Sequence, residues 1–136
     1  MNDMQHKNGN DTSSLYKDMI LSLYKHPLNK GVLSSYDVMY KDVSTSCGDE
    51  IALYIQFDSD GRIAGITHDG NGCAISQAAV SLLTDEVKGK KMEDIIGISK
   101  EHVIGLLGVP ISYTREGCAT LGWKVLQEAI KQYKRI

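Results

Sequence analysis

Ile51, Leu53, Ile55 and Phe57 occupy every second position of one stretch, and Asp58-Ser59-Asp60-Gly61 follows it directly. Successive side chains of an extended chain point to opposite sides, so the alternation predicts a strand with one buried face. The Asp-Ser-Asp-Gly run is a hairpin-type turn, since short polar side chains bond back to the local backbone and glycine tolerates positive φ. Arg62 to His68 then reads as the returning strand, with a weaker pattern. Upstream, Tyr36, Val38 and Tyr40 alternate with polar neighbours and supply a third strand. A three-stranded antiparallel meander is the simplest arrangement.

Helical periods flank this meander. Leu15, Met19 and Leu23 recur every four residues, which predicts an amphipathic helix from about Ser14 to Lys25. His26-Pro27 ends it, because the residue before proline avoids the helical region. After Gly72 the period changes: Ile75, Ala79, Leu82, Leu83 and Val87 mark a helical face, with Gly89 as the stop. Shorter helices are expected from about Met92 to Ile96 and from Lys100 to Leu107. The last helix is expected to start near Cys118, with Leu121, Val125, Leu126, Ile130 and Tyr133 on one side. The order α-β-β-β-α-α-α-α predicts an α+β fold: a three-stranded antiparallel sheet with helices packed on one face.

The chain has 136 residues, enough for one domain whose core needs neither metal nor disulfide to fold. Residues 14–136 are read as that domain and residues 1–13, which are polar, as a disordered lead-in. The N-terminus has no apolar segment of the secretory type. No apolar run approaches the length that spans a bilayer, so no membrane contact and a cytoplasmic location are expected. A net charge of −2 gives no basic footprint, which argues against a nucleic-acid partner.

The chemistry is carried by Cys47, Cys73 and Cys118, separated by 26 and 45 positions, with no CxxC pair. In a reducing compartment they are thiols or metal ligands rather than disulfides. Each is expected at an element boundary: Cys47 in the loop between the first two strands, Cys73 and Cys118 at helix N-termini. Free backbone N–H groups and the helix dipole favour thiolate at such ends. Gly48, Gly72 and Gly117 each neighbour one of the cysteines. Those glycines serve turns or open the approach to sulfur, and a lone cysteine is ordinarily a small buried hydrophobe. Three thiolates with Asp49, two positions after Cys47, could complete a tetrahedral site for zinc or hold an iron–sulfur cluster. A carboxylate is the harder ligand and holds such ions less firmly than thiolate, which suits transient occupancy. His6, His26, His68 and His102 show no ligand spacing and are read as surface or core residues.

At these residues the sequence resembles the U-type iron–sulfur cluster assembly proteins, the family of IscU, SufU and the N-terminal domain of NifU. His26-Pro27-Leu28-Asn29-Lys30-Gly31 is similar to the loop after the family's first helix. Cys47-Gly48-Asp49 matches its CGD motif, Gly70-Asn71-Gly72-Cys73-Ala74-Ile75-Ser76 its GxGCAIS motif, and Cys118-Ala119-Thr120-Leu121-Gly122-Trp123 the SufU ending CATLxW. The resemblance implies that the cysteines converge at one end of the fold and that Cys47, Asp49, Cys73 and Cys118 form the metal or cluster site. It also implies that Gly72 is small so that iron, zinc or a donor sulfur can reach the Cys73 thiolate.

The departures are specific. Ser44-Thr45-Ser46 stands where the family has Asn-Pro before the first cysteine, which changes the stiffness of that loop. Gly117 stands where IscU has histidine and SufU commonly lysine. The IscU chaperone motif LPPVK is replaced by Pro110-Ile111-Ser112-Tyr113-Thr114-Arg115, which counts against a contact of that type. Arg115 lies three before Cys118, as in SufU-like chains, while the short Cys73–Cys118 spacing is IscU-like. Two functions are implied. One is a scaffold that holds a nascent [2Fe–2S] cluster for delivery to apo iron–sulfur acceptor proteins. The other is a zinc-dependent sulfurtransferase that takes persulfide sulfur from a cysteine desulfurase, with Cys47 as the acceptor.

Overall fold

Strand β2 (Glu50–Phe57) is the centre of a three-stranded sheet in the order β1-β2-β3, antiparallel to β1 (Val38–Val43) and to β3 (Ile63–Asn71). The computed structural model describes residues 4–45 and 47–135, with side chains from Ser14 onward. Helix α1 (Met4–Lys25) precedes the sheet. Helices α2 (Ala74–Val87), α3 (Met92–Ile96), α4 (Lys100–Leu106), a 3-10 turn (Tyr113–Arg115), α5 (Glu116–Ala119) and α6 (Leu121–Arg135) follow it. The predicted α+β meander is therefore the observed one. Among the described residues no helix is long and apolar enough to cross a membrane.

The alternation in β2 works as expected. Ile51, Leu53 and Ile55 are fully buried, while Tyr54 is half-buried and Gln56 exposed. The buried side is covered by α6, which packs on β1 and β2, and by α2, which packs on β3; α1 lies against α2. Leu83, Val87, Val125, Leu126 and Ile130 complete the core, each contributing roughly 1.5–3 kcal/mol by leaving water. Phe57, at the strand's end, is half-buried and stacks on Tyr133 of α6 at 4.6 Å.

Three boundaries differ from the sequence reading. Tyr36 lies before β1 rather than in it, and packs edge-on against Tyr54 at 5.1 Å. Helix α1 begins at Met4, ahead of the apolar stripe that starts at Leu15, because extending an existing helix adds a hydrogen bond per residue without a new nucleation cost. Met1 to Asp3 lie outside the described residues. Strand β3 continues past His68 to Asn71, pairing Gly70 with Ile51 and Asn71 with Glu50.

The loop after α1 is clipped to β3 around one buried histidine. Gly31 N–H donates to His68 O at 2.8 Å and His68 N–H to Asn29 O at 2.9 Å. The His68 ring, which is fully buried, places Nε2 at 2.8 Å from Leu28 O. Asn29 adopts a left-handed φ of 60° and donates through Nδ2 to Thr84 Oγ1 of α2 at 3.1 Å. Burial lowers the His68 pKa to about 4. In the unfolded chain an ordinary histidine titrates near 6.5. Between those values the unfolded state binds a proton that the native state refuses, so stability rises with pH through this window and is lost as pH falls. From pH 7.5 to pH 5 this one group is expected to cost about 2 kcal/mol. Urea midpoints of wild type and His68→Gln at the two pH values check it: the wild-type fall should exceed the variant's, and equal falls would contradict it.

Candidate metal centre

The loop from Ser44 to Asp49 is a closed turn. Ser44 N–H donates to Asp49 O at 2.8 Å and Gly48 N–H to Ser44 O at 2.7 Å. Gly48 sits at φ +73°, a conformation that costs an L-residue with a side chain, so the middle residue of Cys-Gly-Asp is a glycine for its backbone. The turn carries Cys47, which is exposed, and Asp49, which is only 5% exposed. From the other end of the chain α5 brings Cys118, which is buried. One ligand atom from each of Cys47, Asp49 and Cys118 lies within 4.8 Å of the other two.

Cys73 adjoins this group through Asp49. It is the N-cap of α2, half-buried, and its backbone N–H donates to Asp49 Oδ1 at 3.3 Å. Its sulfur meets Arg115 Nη1 at 3.8 Å and the Ser76 hydroxyl at 3.9 Å. The 4.8 Å set thus holds three of the four residues that the sequence nominated, with the fourth on its rim.

The electrostatics favour an incoming cation. Burial pushes the Asp49 carboxyl up, but the side chains of Ser76, Cys73 and Cys47 and the Cys73 backbone N–H outweigh it and hold the group below the usual carboxylate range. Asp49 is therefore an anion at neutral pH. Its Oδ2 is buried with no hydrogen-bond partner, a costly state for a carboxylate oxygen unless something positive meets it. Cys118 behaves differently from the expectation that helix ends favour thiolate. Burial, then the hydrogen bond with the Cys47 side chain and electrostatic coupling to Cys73, Cys47 and Asp49, push its thiol up to about 12. Cys118 also lies within the separate turn α5 rather than at the start of the last helix; α6 begins at Leu121. An ion binding here must displace the Cys118 proton. Two thiols and an ionised carboxylate with an unpartnered oxygen fit a zinc or iron ion.

The two glycines before Cys73 have different causes. Gly70, at φ +130°, lies so close to β2 that a Cβ would overlap the Glu50 carbonyl oxygen. Gly72 has no left-handed φ. A Cβ there would overlap Ser76 Oγ and stand 3.1 Å from both Asp49 Cγ and Gln77 Nε2. Bulk is thus missing at Gly72 where Asp49, Ser76 and Gln77 draw together. Gln77 and Lys30 were not singled out from the sequence. Lys30 Nζ donates to Gly70 O at 2.8 Å and to Gln77 Oε1 at 3.0 Å, which ties the loop after α1 to the end of β3 and the first turn of α2, on either side of Cys73. The available signal was spacing: Gln77 follows Cys73 by four and so shares its helix face.

The profile of the NifU-like N terminal domain family matches residues 15–136. The chain belongs to that family. A zinc-dependent sulfurtransferase SufU of Bacillus subtilis (strain 168) is 34% identical over 134 residues, covering 86% of this chain and 90% of the relative. An iron–sulfur cluster assembly scaffold protein IscU of Streptococcus pyogenes serotype M1 is 35% identical over 135 residues, 87% of this chain and 84% of that one. The crystal structure of the N-terminal part of a nitrogen-fixing NifU-like protein from Brucella abortus superposes with a TM-score of 0.70. It covers 86% of this chain and 92% of that one at 19% identity, a likeness of fold alone. The NifU-like domain of this chain therefore has relatives bearing both functional descriptions at nearly equal identity.

Proposed function

We infer that the chain is an iron–sulfur cluster assembly protein that holds a nascent [2Fe–2S] cluster, or the metal for one, as cargo and passes it to apo acceptor proteins. The observation that carries this reading is the meeting of Cys47, Asp49 and Cys118 ligand atoms within 4.8 Å around a buried, unpartnered carboxylate oxygen. Cys73 is the fourth ligand in this reading, supplied by the N-cap of α2. Thiolates supply the strong bonds, and Asp49 supplies the weak one that lets cargo leave. The SufU and IscU relatives support a role in iron–sulfur biogenesis, with a cysteine desulfurase as the sulfur source.

A second reading is favoured by the exposure of Cys47. Cys118 is buried and Cys73 half-buried, so a sulfur donor reaches Cys47 first. In that case the site holds zinc and Cys47 is the acceptor. Its thiolate attacks the terminal sulfur of a desulfurase persulfide, the desulfurase cysteine leaves as thiolate, and Cys47 carries the persulfide. Access and thiolate character are the two requirements for such an attack.

Metal and sulfide analysis of protein purified without oxygen, with its visible absorption spectrum, decides between them. Iron with acid-labile sulfide and charge-transfer bands is the result expected of a scaffold. Stoichiometric zinc without those bands would favour sulfur transfer. Protein that takes up neither zinc nor iron would overturn both.

A further inference from the structure

Two buried polar atoms near the metal centre have no partner, and they are complementary. Asp49 Oδ2 is an acceptor and Gln77 Nε2 a donor. Both residues are 5% exposed, so neither atom is satisfied by bulk solvent. Asp49 Cγ and Gln77 Nε2 each lie 3.1 Å from the point where a Gly72 Cβ would stand, so both border the space that the glycine leaves open. The Gln77 amide is fixed in orientation, because Lys30 Nζ donates to its Oε1 at 3.0 Å and thereby turns Nε2 inward. A hydrogen bond between a buried amide N–H and a buried carboxylate is a strong attraction, since a hydrogen bond to a charged group exceeds a neutral one.

We propose that Gln77 is a positioning residue that catches the Asp49 carboxylate when the carboxylate lets go of metal. The inference rests on the metal-site reading above. In the arrangement described, one Asp49 oxygen lies with the two sulfurs; in the proposed exchange the side chain turns so that Oδ2 meets Gln77 Nε2. Asp49 then has two satisfied positions, one on the ion and one on the amide. Leaving the ion no longer strands an unpaired buried charge, which would otherwise oppose release. Gln77 therefore competes with the ion for Asp49 and speeds exchange, whereas a group that braces a ligand from behind strengthens binding.

The two roles predict opposite signs. Gln77→Leu removes the amide while keeping an apolar group of similar reach. Competition titrations with zinc and a chromogenic chelator should show this variant binding zinc about tenfold more tightly than wild type and releasing it more slowly. A bracing residue would instead lose roughly 10–100-fold in affinity, and weaker or unchanged binding overturns the proposal. In an Asp49→Ala background the Gln77→Leu change should have no effect, since the catch acts only through that carboxylate; an equal effect there overturns it. A readout without metal is the side-chain amide signal of Gln77 in nitrogen-15 NMR spectra of metal-free protein. It should differ between wild type and Asp49→Ala, and in wild type it should move toward the Asp49→Ala position on adding zinc. Identical signals in the two metal-free proteins would sink the catch. Failure of wild type to bind zinc or iron would sink the functional reading, and the metal-free comparison would still decide the role of Gln77.

Discussion

Replacing Gly70 by alanine is expected to destabilise the fold by about 3–5 kcal/mol, the sum of overpacking and forced left-handed backbone. The new methyl group would overlap Glu50 O and lie 2.9 Å from Glu50 C and 3.3 Å from Ile51 Cα. All three are backbone atoms of the central strand, so nothing can rotate away. Moving β2 instead would shift Ile51, which is fully buried, and disturb the core. The φ of +130° adds its own strain for any residue with a side chain. Urea unfolding followed by circular dichroism measures the loss. A midpoint within error of wild type would show that the β2–β3 end spreads freely at Asn71.

Gly72→Ala, two residues on, is expected to leave the fold nearly intact and to cost zinc affinity about 10–100-fold. Its backbone conformation is an ordinary one for alanine. The overlap falls on Ser76 Oγ, which can turn away at the cost of its 3.1 Å hydrogen bond to Cys73 O. The second contact, 3.1 Å from Asp49 Cγ, pushes on the carboxylate itself. Chelator competition and thermal melting, run on the same preparation, separate the two effects. A variant that melts early but binds zinc normally would show that Gly72 serves the turn alone. Glycines two positions apart in one motif are thus expected to fail in different ways, one through the sheet and one through the site.

That contrast also marks the limit of what the sequence could disclose. Both are glycines before a cysteine, and only their neighbours in space, Glu50 for one and Asp49 with Ser76 and Gln77 for the other, separate them. Strand β2 was legible because its period of two coincides with burial of Ile51, Leu53 and Ile55. Helix α2 was legible because its apolar face has a period near 3.6 and begins right after a change of pattern. The break between α5 and α6 was not legible. The stretch Glu116 to Trp123 holds no proline or turn dipeptide, yet Thr120 leaves the helical conformation at φ −106° and ψ 6°. The nomination of Cys47, Asp49, Cys73 and Cys118 rested on the resemblance of their motifs to those of a known family, which implies who meets. Spacing does not predict protonation, which is why burial of Cys118 reversed the expected preference for thiolate. His68 looked like any histidine in a weak strand; its role depends on the Leu28 carbonyl forty positions earlier.

The clip around His68 has a consequence for how this molecule keeps company with its own kind. Strand β3 lies at the margin of the sheet, and a bare margin is a template on which another chain's strand can lay down hydrogen bonds. Here Lys30 forms a single parallel bridge to His68, and Gly31 and Asn29 take up its carbonyl and amide. A few residues of loop thus occupy the pairing groups that an intruding strand would need, in the middle of that margin. The left-handed Asn29 sets the bend that makes so short a cover possible.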